Sequence, residues 1–258
     1  MFGFIERRLL FRPISPAQSW AEPPPDLHAQ DVWLSLAGGV RIHAWWCVPD
    51  GWTPQKGAVL YSHGNAGNLS HRAEGVRRWL SLLERAVLLY DYPGYGHSTG
   101  LPSEASCYAA GEAGFEWITR DRGVSAEQIV LYGGSLGCAI AIELATRQSY
   151  LGLVLVSPFT SVPGMAKKQY PWLPLGPFIR NRFDNLANIR RTKGRVFLAH
   201  GTADRYVPFA MGEKVFAAAP EPKRFFPMPG FDHQNSPGPD FYAESRRFLE
   251  EFQPGKTA

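Results

Sequence analysis

A chain of 258 residues with 45% hydrophobic, 13% aromatic and 19% charged side chains holds enough apolar material for a sizeable core, which excludes a disordered polymer. Its 27 basic and 23 acidic residues leave a net charge of +4, and no dense basic run interleaved with aromatics points to nucleic acid. The apolar runs are far shorter than the ~20 residues that cross a bilayer, so a polytopic membrane protein is excluded. Three scattered cysteines, Cys47, Cys107 and Cys138, build neither a disulfide framework nor a CxxC metal site.

In chain order, residues 1–12 form an amphipathic segment with Phe2, Phe4, Ile5, Leu9, Leu10 and Phe11 beside Arg7, Arg8 and Arg12. Glu6, Arg7 and Arg8 interrupt any signal core and no small-residue cleavage site follows, so a cytoplasmic location is expected. Two readings of the segment stay open: it packs on the domain, or it makes peripheral contact with a membrane. A proline-rich connector reaches residue 26, and the expected division is 1–26 and a single domain over 27–258. Residues 31–37 and 40–48 flank Gly38-Gly39 and read as an antiparallel hairpin.

From there short apolar runs alternate with longer helix-like stretches. The runs lie at 58–62, 86–90, 128–132, 151–156, 195–199 and 224–228. Near-continuous hydrophobicity suits parallel strands buried on both faces. The stretches between, at 69–85, 103–120, 135–147, 209–219 and 242–252, complete a strand–helix alternation that predicts an α/β fold with right-handed crossovers. Residues 159–191 break the alternation with prolines at 163, 171, 174 and 177 and are expected to form a small cap over a pocket.

Gly133-Gly134-Ser135-Leu136-Gly137 follows one strand-like run and opens a helix-like one, the context of a nucleophile elbow. Such a turn exposes the serine hydroxyl at the carboxyl edge of the sheet and aims a helix N-terminus at it. A serine needs a base, and the expected order is serine, acid, histidine. His233, in a polar loop after the last strand-like run, is the expected base, and His200 reads as a packed turn residue. Asp204 follows the preceding run and is the expected acid. Asp232 sits next to the histidine, where side chains rarely face one another, and reads as a capping residue.

The oxyanion donors are expected at the backbone N–H of Leu136 and, from the glycine-rich loop 62–68, of Asn65. The loop 90–98 should line or brace the site, with Tyr92 facing substrate and Asp91 and His97 structural. In the cap, Tyr170, Trp172, Leu173 and Phe178, with Leu175, should supply an apolar acyl pocket. No metal or cofactor is expected.

Ser62-His-Gly-Asn-Ala-Gly-Asn68, Tyr90-Asp-Tyr-Pro-Gly-Tyr-Gly-His-Ser98, Gly133–Gly137, Ser157-Pro-Phe-Thr-Ser161 and His200-Gly-Thr-Ala-Asp-Arg-Tyr-Val-Pro208 together resemble the α/β-hydrolase superfamily. The similar branch holds proteins related to depalmitoylases and to serine-aminopeptidase-like hydrolases. The resemblance runs from about residue 36 to 252 and implies a mostly parallel twisted sheet with helices on both faces. It assigns Ser135, Asp204 and His233 to the triad, as the residues themselves do. Phe231-Asp232 departs from the small residue or glycine usual before that histidine. Many relatives carry a hydrophobic membrane segment ahead of the part that resembles residues 9–13.

The expected chemistry is hydrolysis of carboxylic esters or thioesters through an acyl-enzyme. A peptidase or amidase ranks lower, because Asp184 is the one acid in the cap to select an amine. A non-catalytic scaffold binding lipid or a partner fits the intact motif set poorly. Ser135 excludes the dehalogenases and epoxide hydrolases of this fold, which place aspartate at the elbow.

Overall fold

The structure, a computed structural model of the chain, describes residues 2–251, with side chains from Glu6 onward. Phe2, Phe4 and Ile5, named above for an apolar face, and residues 252–258, at the end of the expected domain, lie outside those described side chains.

Helix α1 (Phe2–Leu10) leads into the two-residue strand β1 (Arg12–Pro13). The hairpin follows as β2 (Gln30–Ser35) and β3 (Arg41–Cys47), paired antiparallel, with Gly38 and Gly39 at positive φ in its turn. The alternation then gives β4 (Ala58–Ser62), the short β5 (Ala66–Gly67), α2 (Ala73–Leu83), β6 (Ala86–Tyr90), α3 (Glu104–Asp121), β7 (Ile129–Gly134), α4 (Leu136–Ala145) and β8 (Gly152–Val156). After it come α5 (Val162–Gln169), α6 (Asn185–Ile189), β9 (Val196–Gly201), α7 (Phe209–Ala218), β10 (Lys223–Met228) and α8 (Pro239–Glu250). Each expected strand-like run has become a strand; in β4, β6, β8 and β9 valine, leucine and alanine leave almost no polar face to hydrate, while β10, at the sheet edge, carries Lys223 and Arg224 and stays mostly half-buried.

Eight strands form one sheet in the order β10-β9-β8-β7-β4-β6-β3-β2. β10, β9, β8, β7, β4 and β6 run parallel, and β3 is antiparallel to both of its neighbours. Two buried layers cover the two faces. One packs Phe115 and Ile118 of α3, Ile140 and Ile142 of α4 and Val215 of α7 against the sheet. The other packs Val76 and Trp79 of α2 with Phe241 and Phe248 of α8. The three cysteines are buried free thiols.

The chain steps from β4 to β6 on one side and returns to β7 on the other, so the loops after β4 and β7 part at the carboxyl edge. Ligands bind in open α/β sheets at such a reversal. The segment 159–191, between β8 and β9, holds α5, a single 3-10 turn at Gly176–Phe178 and α6.

The β7–α4 turn is dense. A Cβ on Gly137 would stand 2.0 Å from the Ser62 carbonyl oxygen, and one on Gly133 would stand 2.5 Å from the Gly137 oxygen. Both obstacles are backbone atoms. Gly137→Ala should therefore destabilise the protein by roughly 1–3 kcal/mol or more, as overpacking does. Urea unfolding would register this as a lower midpoint, and an unchanged midpoint would contradict the packing described.

Candidate active site

Ser135 joins β7 to α4 with φ 51° and ψ −111°, a conformation that costs a non-glycine residue on the order of 1–3 kcal/mol. Its N–H donates to Val156 O at 2.9 Å, and the buried Cys138 thiol donates to Gly133 O at 3.1 Å. These bonds and the two crowded glycines hold the turn. Leu136 is the first residue of α4, so its N–H has no acceptor within the helix.

His233 lies between β10 and α8, and Asp204 between β9 and α7. The structure brings all three side chains together. His233 Nε2 is 3.1 Å from Ser135 Oγ, and its Nδ1 is 2.8 Å from Asp204 Oδ2. The other carboxylate oxygen of Asp204 accepts the N–H groups of Tyr206 at 3.0 Å and Val207 at 2.8 Å. Asp232 points elsewhere. Its Oδ1 accepts the His233 N–H at 2.7 Å and the Arg205 N–H at 3.0 Å, which ties the histidine loop to the aspartate loop.

Two contributors were not singled out in the sequence. His200, read as a packed turn residue, is indeed buried, but its Nε2 also lies 3.5 Å from Asp204 Oδ2 while bonding Val207 O at 2.9 Å. The half-exposed ring of Tyr206 sits 5.0 Å from the His233 ring. The spacing from His200 to Asp204 carries a faint signal, since both belong to one strand end. Tyr206 carries none.

Burial by itself raises the Asp204 carboxyl. Hydrogen bonds from His200 and His233, the His233 charge and the Val207 N–H outweigh it and hold the group well below its ordinary 3.8.

The loop after β4 stands against the elbow: a Cβ on Gly64 would lie 3.7 Å from Ser135 Cβ. The loop is braced from beneath by buried groups. His63 Nε2 donates to Asp91 Oδ1 at 3.1 Å, the Leu69 N–H donates to the same oxygen at 2.9 Å, and Tyr92 Oη donates to His63 O at 2.5 Å. Asp91 is structural, as expected. Tyr92 was expected to face substrate; the structure corrects this, because its ring is wholly buried and its hydroxyl is spent on the loop.

Asn65 turns its side chain away from Ser135. Nδ2 donates to Leu10 O at 2.6 Å, and Oδ1 accepts from Tyr95 Oη at 2.7 Å and the Arg12 N–H at 3.2 Å. Among the described residues no group accepts the Asn65 N–H. β1 pairs with β5 on the same loop, and Asn68 Nδ2 donates to Ile14 O and Ser19 O. The N-terminal segment thus packs on this loop at Leu10, Arg12, Ile14 and Ser19, contacts that among the described residues follow the packed reading.

In the cap, Trp172 and Leu173 help line a groove of about 600 Å³ with Pro163, Lys167 and Leu175. Ser135 is not among its walls. Tyr170 and Phe178, expected in that pocket, are outside it and face solvent. Phe178 ends the 3-10 turn and Tyr170 caps the C-terminus of α5, and both rings are left exposed.

A family model described as the alpha/beta hydrolase family matches residues 40–253. The chain belongs to that family. It is 36% identical to the protein Rv2307c of Mycobacterium tuberculosis over 251 residues, 95% of this chain and 88% of the relative. It is 28% identical to the alpha/beta hydrolase domain-containing protein WAV2 of Arabidopsis thaliana, over 98% and 90% of the two chains. Its fold is similar to that of the Pyrococcus furiosus esterase Pf2001, with a TM-score of 0.75 at 19% identity over 93% and 98% of the chains. The acetyl xylan esterase of Paenibacillus sp. R4 is similar at a TM-score of 0.69 and 21% identity, over 88% and 89%. Family membership accounts for the mostly parallel sheet with helices on both faces.

A depressed carboxyl adds stability above its unfolded value, and that part is lost as pH falls through 3.8 towards the folded value. Asp204→Asn should therefore lower the urea midpoint more at about pH 7 than at about pH 3. An equal drop at both would contradict the network around Asp204.

Proposed function

We propose that the protein is a serine hydrolase acting on carboxylic esters or thioesters through an acyl-enzyme. The observation that carries this reading is the unbroken line from Ser135 Oγ to His233 Nε2, 3.1 Å, and from His233 Nδ1 to Asp204, 2.8 Å. The strained backbone at Ser135 supports it, since strain of this kind gathers at working sites.

In this mechanism His233 takes the hydroxyl proton as Ser135 Oγ bonds to the acyl carbon. Asp204, its carboxyl held well below the ordinary value, holds the ring's Nδ1–H and favours the imidazolium. The N–H groups of Leu136 and Asn65 take the charge that builds on the carbonyl oxygen, in the positive end of the α4 dipole. His233 then gives its proton to the departing alcohol or thiol, which leaves acyl-Ser135. A water molecule loses a proton to the same nitrogen, attacks the acyl carbon and releases the acid and free Ser135.

Esters are favoured over amides by two supports. The similar solved structures include proteins described as esterases, and another, Est1E of Butyrivibrio proteoclasticus, has ferulic acid bound. The cap's one acid, Asp184, is occupied capping α6, which leaves no free carboxylate in the cap to select a charged amine.

Hydrolysis of p-nitrophenyl esters of graded chain length tests the reading. Ser135→Ala should lower kcat on the order of a million-fold and abolish labelling by a fluorophosphonate. Hydrolysis undiminished by that change would end it. Asn65→Ala keeps the backbone donor but loses its anchorage; kcat should fall ten- to hundredfold, less than the 10²–10³ of outright donor loss, with KM nearly unchanged. A change confined to KM would remove Asn65 from the oxyanion site.

A further inference from the structure

We propose that α1 and the cap together form a docking face for an anionic phospholipid bilayer. The inference stands apart from the serine-hydrolase reading and needs only the surface.

The two segments are one surface by direct contact. Glu6 Oε1 in α1 accepts the N–H groups of Arg180 at 3.0 Å and Asn181 at 2.8 Å, and the Asn181 side-chain amide at 2.9 Å. Just past the helix, Phe11 meets Phe183 edge-on at 6.1 Å. On this joined surface Leu9 is 75% exposed, Trp172 74% and Phe178 72%, and Tyr170 and Leu173 are nearly half exposed. Single exposed apolar residues are ordinary, but five of them, two amphipathic aromatics included, on one basic surface are not.

Charge identifies the occupant. Residues 1–12 and 159–191 hold nine basic and two acidic residues, net +7, while the rest of the chain holds eighteen basic and twenty-one acidic, net −3. Both acids are engaged within the protein, Glu6 at the clamp and Asp184 at the N-terminus of α6. The outward charge of the face is therefore carried by arginine and lysine. A second copy would bring like charge against like charge. A basic rim around tryptophan, tyrosine, phenylalanine and leucine tips matches a bilayer instead: anionic headgroups meet the cations, and the apolar tips enter the headgroup–acyl boundary.

The test is co-sedimentation of the full chain with vesicles of phosphatidylcholine alone and of phosphatidylcholine with phosphatidylserine. Binding should be at least tenfold tighter to the anionic vesicles and should weaken as salt rises. Leu9→Ser with Phe178→Ser, which leaves every charge in place, should weaken binding tenfold or more. Arg7→Glu with Arg180→Glu should cost at least fivefold for each charge and remove the preference for anionic lipid. Circular dichroism and thermal melting report whether each variant is folded, whatever becomes of ester hydrolysis. Equal binding to both vesicle types, sedimentation with neither, folded variants that bind like the parent, or a dimer that covers this face in light scattering would each overturn the proposal.

Discussion

Gly137 approaches β4 so closely that one methyl group would touch the Ser62 carbonyl oxygen. That approach seats the start of α4 against the end of β4. Ser135 is thereby pressed beside the loop that leaves β4, and the same turn drives its φ to 51°. The hydroxyl, the first N–H groups of α4 and the neighbouring loop consequently share one small space. Both flanking glycines of the motif are required by backbone atoms, which cannot rotate aside as a side chain would.

The loops that complete the site are joined by polar groups buried beneath or between them. A buried imidazole stands behind each of two loops: His63 against Asp91 under the β4 loop, and His200 against Asp204 under the β9 loop. Asp232 links the β9 and β10 loops through two backbone N–H groups. Such bonds hold long loops to one conformation at a low cost in ordering, because few rotatable side chains take part. Asn65 extends the network outward, since its amide grips the N-terminal segment while the preceding Gly64 stands against Ser135. Helix α1 therefore connects the cap, through Glu6, to the loop beside Ser135.

The strand–helix alternation and the elbow were readable because they rest on local patterns: apolar runs without a polar face, and small residues at a strand-to-helix turn. Asp204 and His233 were readable from their places after successive strands, because parallel strands deliver their following loops to one edge. Tyr92 was misread. Nothing in the local sequence says how these rings point, and only packing shows that the tyrosines at 90, 92 and 95 all turn inward. Tyr170 and Phe178 were misread for the opposite reason. An aromatic residue in a proline-spaced segment has no periodicity to say whether it lines a pocket or faces out.

The sequence by itself determined the fold class, the nucleophile motif and the order of its partners, since these follow from short-range pattern and from the direction of the strands. Tertiary structure alone decided that Asn65 anchors the N-terminal segment, that His200 stands beside Asp204, and that Glu6 joins α1 to Asn181, 175 residues further on. Each of those depends on which side chains meet across loops of irregular shape, and no repeating spacing in the chain encodes such meetings.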